Sequence, residues 1–449
     1  MANSRPHHRF RCQQEYLPIM LSDSPVTSAY IHIPFCRRRC YYCDFPIAVV
    51  GDRPPLQRSQ GITASQTGHG SGAIAHYLPL LCQEIRVTAE RISHGNLVKP
   101  LQTVFFGGGT PSLLGVEQLA IILATLADTF GIAPDAELSM EMDPGTFTLA
   151  QLQGYKNLGI NRISLGVQSF DNELLKACGR THTLADIHQA VGAIAQVGLT
   201  NWSLDLISGL PHLTLERWQQ TLEQAVHYQP PHVSVYDLTI EANTAFDRWY
   251  QPGEAPLPSD HTTSQMYHMA QEQFTAAGYH HYEISNYARP GHACRHNLVY
   301  WQNQPYYGFG MGAASYVNGY RVSRPRTRQA YEQWVQHWSD HGAEVGEPTS
   351  LQEQLLDTLM LGLRLAKGVR LRSLTDQFGE AIAPTILKIL APHQAKGWVE
   401  ITMLHDAANI PSQVALSPQP DMLIRLSDPE GFLFSNVVLS DLFGSLDTT

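Results

Sequence analysis

The sequence predicts an α/β fold: a partial or complete (β/α) barrel followed by a small C-terminal module with helical and winged-helix-like character. Short runs rich in β-branched and aromatic residues alternate with helix-length segments along the first two thirds of the chain. Several of the helical segments end in glycine, which accepts the left-handed conformation of a helix terminus. Repeated strand, helix and parallel strand units imply right-handed crossovers and a sheet covered by helices.

The strands and helices follow from hydrophobic periodicity, because alternation indicates strands and longer amphipathic runs indicate helices. The predicted strands are 29–35, 101–106, 137–142, 161–167, 201–207, 232–240 and, more weakly, 282–288. The predicted helices between them are 75–92, 116–130, 149–159, 184–199, 215–228 and 264–278. Each strand except the last is therefore followed by a helical segment, as a barrel requires.

The chain divides into an N-terminal extension at 1–28, a barrel at 29–330 and a C-terminal module at 350–449. The segment 51–72 is polar and rich in Gly, Ser and Pro, which predicts a mobile insertion in the barrel. In the module we expect helices at 351–371, 371–379 and 383–400, a hairpin at 422–436 and a last helix at 435–446.

Composition excludes several classes of protein. Of the 449 residues, 43% are apolar and 16% are charged, which predicts a folded, soluble protein with a substantial core. The net charge of −10 argues against a broad nucleic-acid surface. Because no segment contains the roughly 18 unbroken apolar residues of a membrane helix, and the first residues lack a sustained apolar region, we expect a cytoplasmic protein without a transmembrane segment.

Three cysteines lie within eight residues, directly after the first predicted strand. Cys36, Cys40 and Cys43 have the spacing C-x3-C-x2-C in YIHIPFCRRRCYYCDF. Chemistry in α/β enzymes is concentrated at such strand ends. Iron–sulfur clusters take thiolates at close spacings, and three ligands would leave one iron open to a substrate.

Other interpretations of these cysteines stay open at this point. A structural zinc would need a fourth ligand, for which His32 is the nearest candidate. An electron-transfer cluster would need a fourth cysteine, which Cys12, Cys82, Cys178 and Cys294 do not obviously supply. The three residues could also be unconnected thiols.

Polar residues and glycines recur at the ends of later strands. A Gly-rich stretch, Gly107–Ser112, follows the second predicted strand and would allow a ligand to approach the backbone. Glu141 and Asp143 end the third strand. Gln168, Arg180 and Asp205 lie at later strand ends or in the loops that follow them. Together these positions predict one polar site at one mouth of a barrel.

The cysteine motif, with an aromatic residue before its last cysteine, resembles the signature of the radical S-adenosylmethionine (SAM) superfamily. This resemblance implies a [4Fe–4S] cluster whose unligated iron binds the amino and carboxylate groups of SAM and reductively cleaves it. From about 29 to 440, the order of motifs resembles the family of oxygen-independent coproporphyrinogen oxidases and related heme chaperones, the HemN/HemW family. By this resemblance the SAM-contacting positions are Tyr30, Gly108, Gly109, Thr110, Glu141, Gln168, Arg180, Asp205 and Ala314.

Two features bear on the choice between oxidase and chaperone. The oxidase pattern has another cysteine two positions after the third, whereas here Asp44 is followed by Phe45. The segment CRHNLVYW, 294–301, resembles the HNxxYW motif that is proposed to bind heme in the chaperones. His296 is a candidate axial ligand with Cys294 as a second, and the aromatic pair that ends the motif is suited to pack on a macrocycle.

These features favour a heme chaperone whose cluster and SAM regulate transfer or dimerisation, so enzymatic activity stays uncertain. The implied partners are heme, acceptor hemoproteins that include membrane-associated respiratory enzymes, and a second copy in a homodimer. The alternative is an oxygen-independent coproporphyrinogen III oxidase that decarboxylates propionates by radical SAM chemistry. A more distant alternative is a redox or zinc protein without SAM chemistry.

Overall fold

The computed structural model describes residues 25–51, 69–93, 99–342, 347–404, 406–409 and 418–446. Most of the predicted N-terminal extension and most of the insertion at 51–72 lie outside these ranges. The strands are β1 Ser28–Ile33, β2 Phe35–Cys36, β3 Ala48–Val49, β4 Leu101–Gly108, β5 Ile132–Met142, β6 Arg162–Gln168, β7 Trp202–Ser208, β8 His232–Asp237, β9 His280–Glu283, β10 Asn286–Ala288, β11 Tyr307–Phe309, β12 Ala314–Val317, β13 Tyr320–Ser323, β14 Val369–Arg370, β15 Val399–Met403, β16 Asp406–Asn409 and β17 Met422–Leu426. The α-helices are α1 His69–Ser93, α2 Val116–Thr129, α3 Leu149–Asn157, α4 Asn172–Ala177, α5 Leu184–Val197, α6 Leu215–Tyr228, α7 Ala245–Trp249, α8 Asp260–Ala276, α9 Arg295–Trp301, α10 Arg328–His341, α11 Leu351–Gly362, α12 Leu371–Phe378, α13 Ile382–Ala395, α14 Glu430–Leu433 and α15 Ser435–Leu446.

The main sheet has nine strands in the order β11-β1-β4-β5-β6-β7-β8-β10-β9. Strands β11, β1 and β4 to β8 are parallel to one another, whereas β10 is antiparallel to β8 and to β9. Within the described ranges the outermost strands β11 and β9 do not pair with each other, so the sheet is open. The α/β fold class is confirmed in its partial-barrel form.

The parallel strands carry apolar and polar residues on opposite faces, because successive side chains of a strand point in opposite directions. In β6, Ile163 and Leu165 are fully buried in the apolar core, whereas Arg162 and Ser164 line a cavity. The other strands contribute Tyr30, Phe105, Glu141, Asp205, His232, Ser234 and Tyr236 to the same cavity. The alternation therefore gives the sheet one packed face and one face suited to ligands.

The C-terminal segment has a second apolar core, which contains Leu359, Leu387, Ile401 and Leu442. Its element order is α11, β14, α12, α13, β15, β16, β17, α14 and α15, and its four strands pair antiparallel in the order β14-β17-β15-β16. This helix, strand, helix, helix, strand order fits the predicted winged-helix-like module. The exact boundaries at 330 and 350 stay a prediction.

Several details differ from the predictions. The helix predicted at 383–400 ends at Ala395, and strand β15 begins at Val399. The last residues of the insertion predicted at 51–72 belong to helix α1, which begins at His69. The single strand predicted at 282–288 is two antiparallel strands, β9 and β10, which reverse at a turn without glycine or proline. The helix predicted at 351–371 ends at Gly362, after which the chain turns into β14. The prediction of a hairpin at 422–436 was wrong, because this segment is strand β17 followed by the short helix α14.

No helix in the described ranges combines the length and apolarity that crossing a bilayer needs.

Candidate active site at the carboxyl ends of the strands

A cavity of about 650 Å³ lies against the polar face of the sheet. Its volume is within the range of about 300–1,000 Å³ typical of small-molecule sites. Most of the predicted site residues line it: Tyr30, Cys36, Cys40, Cys43, Gly108, Gly109, Thr110, Glu141, Gln168, Arg180 and Asp205. Residues that are distant in the sequence therefore meet in one place, as parallel strands with aligned carboxyl ends predict.

The cysteine loop is held by hydrogen bonds to its backbone and to its sulfurs. Arg39 donates from Nη1 to the carbonyls of Cys43 and Phe45, at 3.1 and 3.0 Å. Thr110 Oγ1 donates to the Sγ of Cys36, and Arg180 Nη1 donates to the Sγ of Cys40, both at 3.5 Å. Donors at two sulfurs are suited to hold thiolates, which are the form that binds metal.

The three thiols fit a cluster better than a single metal ion. In the described part of the chain, no three His, Cys, Asp or Glu side chains are grouped as a lone ion requires. An iron–sulfur cube instead takes each thiolate at a different corner, so its ligands line a space rather than surround one point. Burial raises the pKa of Cys36 to about 12 and raises that of Cys43, so binding a cluster would release protons.

His32, the candidate fourth ligand of a zinc site, has another role. Its Nε2 donates to the carbonyl of Pro46 at 3.1 Å, so its Nδ1 accepts from the hydroxyl of Tyr30 at 3.0 Å. Burial lowers the pKa of the ring to about 4, and the neutral ring is therefore the form at physiological pH. Both ring nitrogens are therefore engaged, one within strand β1 and the other with the loop that follows the cysteines.

The glycine turn is packed too tightly for side chains. At Gly108, whose φ is +108°, an added Cβ would lie 2.3 Å from the ring of His32. At Gly109 a Cβ would lie 2.7 Å from the carbonyl oxygens of Ile33 and Phe35. The backbone N–H of Gly108 donates to Glu141 Oε2 at 2.9 Å, so the turn also orients a carboxylate of the cavity.

The acidic groups of the cavity have distinct environments. Arg180 forms an ion pair with Asp143 and donates to the carbonyl of Gly166 at 3.0 Å. Burial, with the nearby charges of Asp205 and Asp143, raises the pKa of Glu141 to about 8. Burial also raises the pKa of Asp205, although Ser164 donates to it at 2.8 Å. These carboxyls are suited to a ligand that brings hydroxyl donors or positive charge.

Two predicted site residues, His296 and Ala314, do not line the cavity. The ring of His296 is fully buried, with Nδ1 at 2.8 Å from Thr103 Oγ1 and Nε2 at 2.8 Å from the hydroxyl of Tyr300. Because both nitrogens are engaged, this arrangement leaves neither one free for an axial bond to iron. Ala314 begins β12 and is also absent from the cavity lining, whereas Cys294 and Tyr300 belong to it.

Sequence reasoning missed several cavity residues, including Arg162, Ser164, His232 and Tyr236. Arg162 and His232 begin their strands, and Ser164 and Tyr236 lie inside theirs, whereas the sequence motifs mark the carboxyl ends of the strands. The alternation of polar and apolar residues in β6 and β8 was the signal that could have found them.

Comparison with known proteins identifies the family. Residues 30–225 match the family model of the Radical SAM superfamily, and residues 349–403 match the HemN C-terminal domain. The heme chaperone HemW of Synechocystis sp. is 48% identical over 94% of this chain and 97% of its own length. The chain belongs to the HemW family. HemW of Bacillus subtilis is 34% identical over 82% of the chain and 91% of that relative.

The chain shares its fold with a solved structure. Coproporphyrinogen III oxidase (HemN) from Escherichia coli superposes with a TM-score of 0.72 over 94% of this chain and 90% of that one, at 23% identity. At that identity the likeness shows the fold alone. Membership of the radical SAM superfamily implies a [4Fe–4S] cluster and SAM, for which the cysteine loop and the cavity provide suitable donors.

Proposed function

We propose that this protein is a heme chaperone, which binds heme and passes it to acceptor hemoproteins. The observation that carries the proposal is 48% identity to the curated Synechocystis heme chaperone over 94% of the chain. Acceptors that include membrane-associated respiratory enzymes and a homodimeric state remain predictions from the family resemblance. A cytoplasmic location remains a prediction from the sequence composition.

Cys36, Cys40 and Cys43 are the proposed ligands of the cluster. A cluster with three protein thiolates supplies an iron with a free coordination position and a site that accepts and donates an electron. Around it, Thr110 and Arg180 donate to two of the sulfurs. These donors hold the thiolates and balance part of their negative charge.

Most of the proposed SAM contacts line the same cavity as the three cysteines. Glu141, oriented by the N–H of Gly108, is placed to accept from ribose hydroxyls. Asp205, held by serine hydroxyls, offers a second carboxylate, and Arg180 positions Asp143 through their ion pair. The remaining proposed contacts are Tyr30, Gly109, Thr110, Gln168 and, outside the cavity lining, Ala314.

For heme, Tyr300 and Cys294 are better placed than His296, because they line the cavity. We propose that His296 acts through its hydrogen bond to the hydroxyl of Tyr300, which fixes the orientation of that ring. Tyr300, Phe105 and Tyr30 form an aromatic wall of the cavity. Phe105 stacks on His296, with 5.3 Å between ring centroids, and on Tyr30, with 6.3 Å. Such a wall suits a flat macrocycle.

The competing function, coproporphyrinogen oxidation, has support from the fold but not from the cysteine motif. The oxidase resemblance calls for a further cysteine two positions after Cys43, where Phe45 stands. A chaperone needs to retain heme and release it to an acceptor, without removing carbon dioxide from a propionate.

The test incubates anaerobically reconstituted protein with SAM and reductant, with heme and with coproporphyrinogen III in parallel. We expect retained heme, transfer to an added apo-hemoprotein and no protoporphyrinogen. Cys36→Ala is the control for the cluster, and it should lose the brown iron–sulfur absorbance while keeping the far-UV circular dichroism of the wild type. Formation of protoporphyrinogen, or failure to bind heme, would overturn the proposal.

A further inference from the structure

A buried arginine lines the cavity at the amino end of strand β6. Arg162 is 2% exposed, and it belongs to the cavity lining. The cysteines follow the carboxyl end of β1, whereas Arg162 is in register, through Ser139 and Phe105, with Tyr30 in the middle of β1. Arg162 itself was not assigned to the cluster or to SAM by resemblance.

This guanidinium has no carboxylate partner within the described residues. Its Nη1 donates to Asn201 Oδ1 at 2.8 Å and to the carbonyl of His292 at 3.0 Å, and both acceptors are neutral. By contrast, the buried Arg180 pairs with Asp143, and the buried Arg324 pairs with Glu84. Because a buried charge without a directly bonded counter-ion is costly, the retention of Arg162 points to a charge that a ligand supplies.

The acidic groups on the two strands that flank β6 are engaged by other donors. Glu137 accepts from the backbone N–H groups of Arg295 and His296, at 3.1 and 3.0 Å, and so caps helix α9. Asp205 accepts from the hydroxyls of Ser164 and Ser203. Within the described residues, neither carboxylate forms an ion pair with the guanidinium of Arg162.

Strand β8 contributes neutral hydrogen-bonding groups to the cavity that Arg162 lines. His232, which is 2% exposed and lines the cavity, lies 2.9 Å from Ser203 Oγ and 2.9 Å from the hydroxyl of Tyr282. Burial, with the nearby charge of Arg162, keeps the pKa of this histidine well below its usual range. Ser234 lines the cavity beside it. This setting offers one fixed positive charge and several neutral polar groups.

We propose that Arg162 is the centre of a carboxylate subsite, which binds a propionate group of the porphyrin cargo. The inference rests on the proposed heme-binding function and specifies the part of the cargo that the inner end of the cavity recognises. The guanidinium supplies charge-assisted hydrogen bonds to the carboxylate, and such bonds are stronger than those between neutral groups. Heme would then enter with a propionate inward and the rest of the macrocycle along the aromatic wall.

The experiment compares heme with its dimethyl ester, in wild type and in Arg162→Met. The loss of a hydrogen-bonded charge pair corresponds to about 10- to 100-fold in affinity. We therefore expect Arg162→Met to bind heme about 10- to 100-fold more weakly than wild type while binding the ester equally well. Arg162→Lys should retain part of the preference for heme, because it keeps the charge without the planar fork.

Arg295→Met is the matched control, since Arg295 is exposed and outside the cavity lining. Cluster content and SAM binding of every variant report whether the fold is intact. Equal weakening of heme and ester by Arg162→Met would overturn the subsite and leave heme binding standing. If the wild type binds neither porphyrin, the proposed function itself fails, and this inference fails with it.

Discussion

At the scale of single residues, burial sets the protonation state of the groups around the cavity. It lowers the pKa of His32 to about 4 and that of His296 to about 3, and it raises the pKa of Glu141 to about 8. The histidines are therefore neutral and the carboxyl is largely protonated near neutral pH. Both states differ from those of the same residues in water.

The protonation state of His296 can be measured directly. Because its pKa is lowered to about 3, the ring should stay neutral at pH 5, where an exposed histidine is mostly protonated. Nitrogen NMR of histidine-labelled protein, with His296→Gln to assign the signal, reads this state. An imidazolium signal from His296 at pH 5 would show that the ring is not buried between Thr103 and Tyr300.

Glu141 should make SAM binding depend on pH. A ribose hydroxyl donates best to the ionised carboxylate, whereas the free protein holds this group protonated below a pKa of about 8. SAM affinity of the wild type, relative to Glu141→Gln, should therefore rise up to tenfold per unit between about pH 6 and 8 and then level off. A constant ratio in isothermal titrations across this range would remove Glu141 from the SAM site.

The motif residues could be predicted from the sequence because their neighbours in the sequence are enough to identify them. Three cysteines in a short loop and three successive glycines are visible without a fold. The place of His296 was not predictable, because the partners that engage its ring come from a distant strand and from the next helical turn. Arg162 and His232 were missed since their common cavity exists only after the strands align.

At the scale of elements, the glycine turn after β4 joins the cysteine loop to the strand. Gly109 donates its N–H to the carbonyl of Ile33 at 2.9 Å, and Thr110 donates to that of Phe35 at 2.7 Å. The turn thus continues the pairing of β1 with β4 beyond the strand ends. Because the turn is closely packed, we expect a single added methyl group to lower the stability of the protein.

Gly109→Ala should lower the free energy of unfolding by about 1–3 kcal/mol, because the methyl group would meet two carbonyl oxygens at 2.7 Å. Gly192→Ala is the matched control in helix α5, where no atom lies within 4 Å of the added Cβ. That change should stabilise the protein by about 0.5–1 kcal/mol. Urea unfolding compares the two, and an unaffected Gly109→Ala variant would contradict the tight turn.

Elements with strong periodicity were predicted well, and short or reversing ones were not. Helix α6 was predicted within its observed bounds, Leu215–Tyr228, because its apolar residues repeat at helical spacing. Strand β11 has three residues, too few to show alternation, and it is placed by pairing with β1. The reversal between β9 and β10 lacks the glycine or proline that commonly marks a turn.

At the scale of the whole molecule, the C-terminal module is attached to the edge of the main sheet. Ile284 donates to the carbonyl of Arg364, and Ala366 donates to that of Tyr282, both at 3.0 Å. Tyr267, on helix α8, belongs to the second apolar core and is 7% exposed. The module therefore covers the edge formed by β9, which protects it from pairing with other chains.

Tyr267→Ala should weaken this attachment by about 3 kcal/mol, since a large aromatic ring leaves the shared core. Scanning calorimetry should show unfolding of the module separating from that of the barrel. Tyr228→Ala, which changes a half-buried ring of helix α6, should leave the transitions together. Coincident transitions in Tyr267→Ala would show that this residue does not couple the two cores.

We propose that the thiolates of Cys36, Cys40 and Cys43 hold a cluster whose free iron position meets SAM in the cavity. The decisive experiment is electron paramagnetic resonance of the reduced, anaerobically reconstituted protein, with SAM labelled at its amino nitrogen and carboxylate oxygens. We expect SAM to change the cluster signal and the labels to give resolved hyperfine couplings to it. A cluster signal that is identical with and without SAM would show that SAM does not bind the iron.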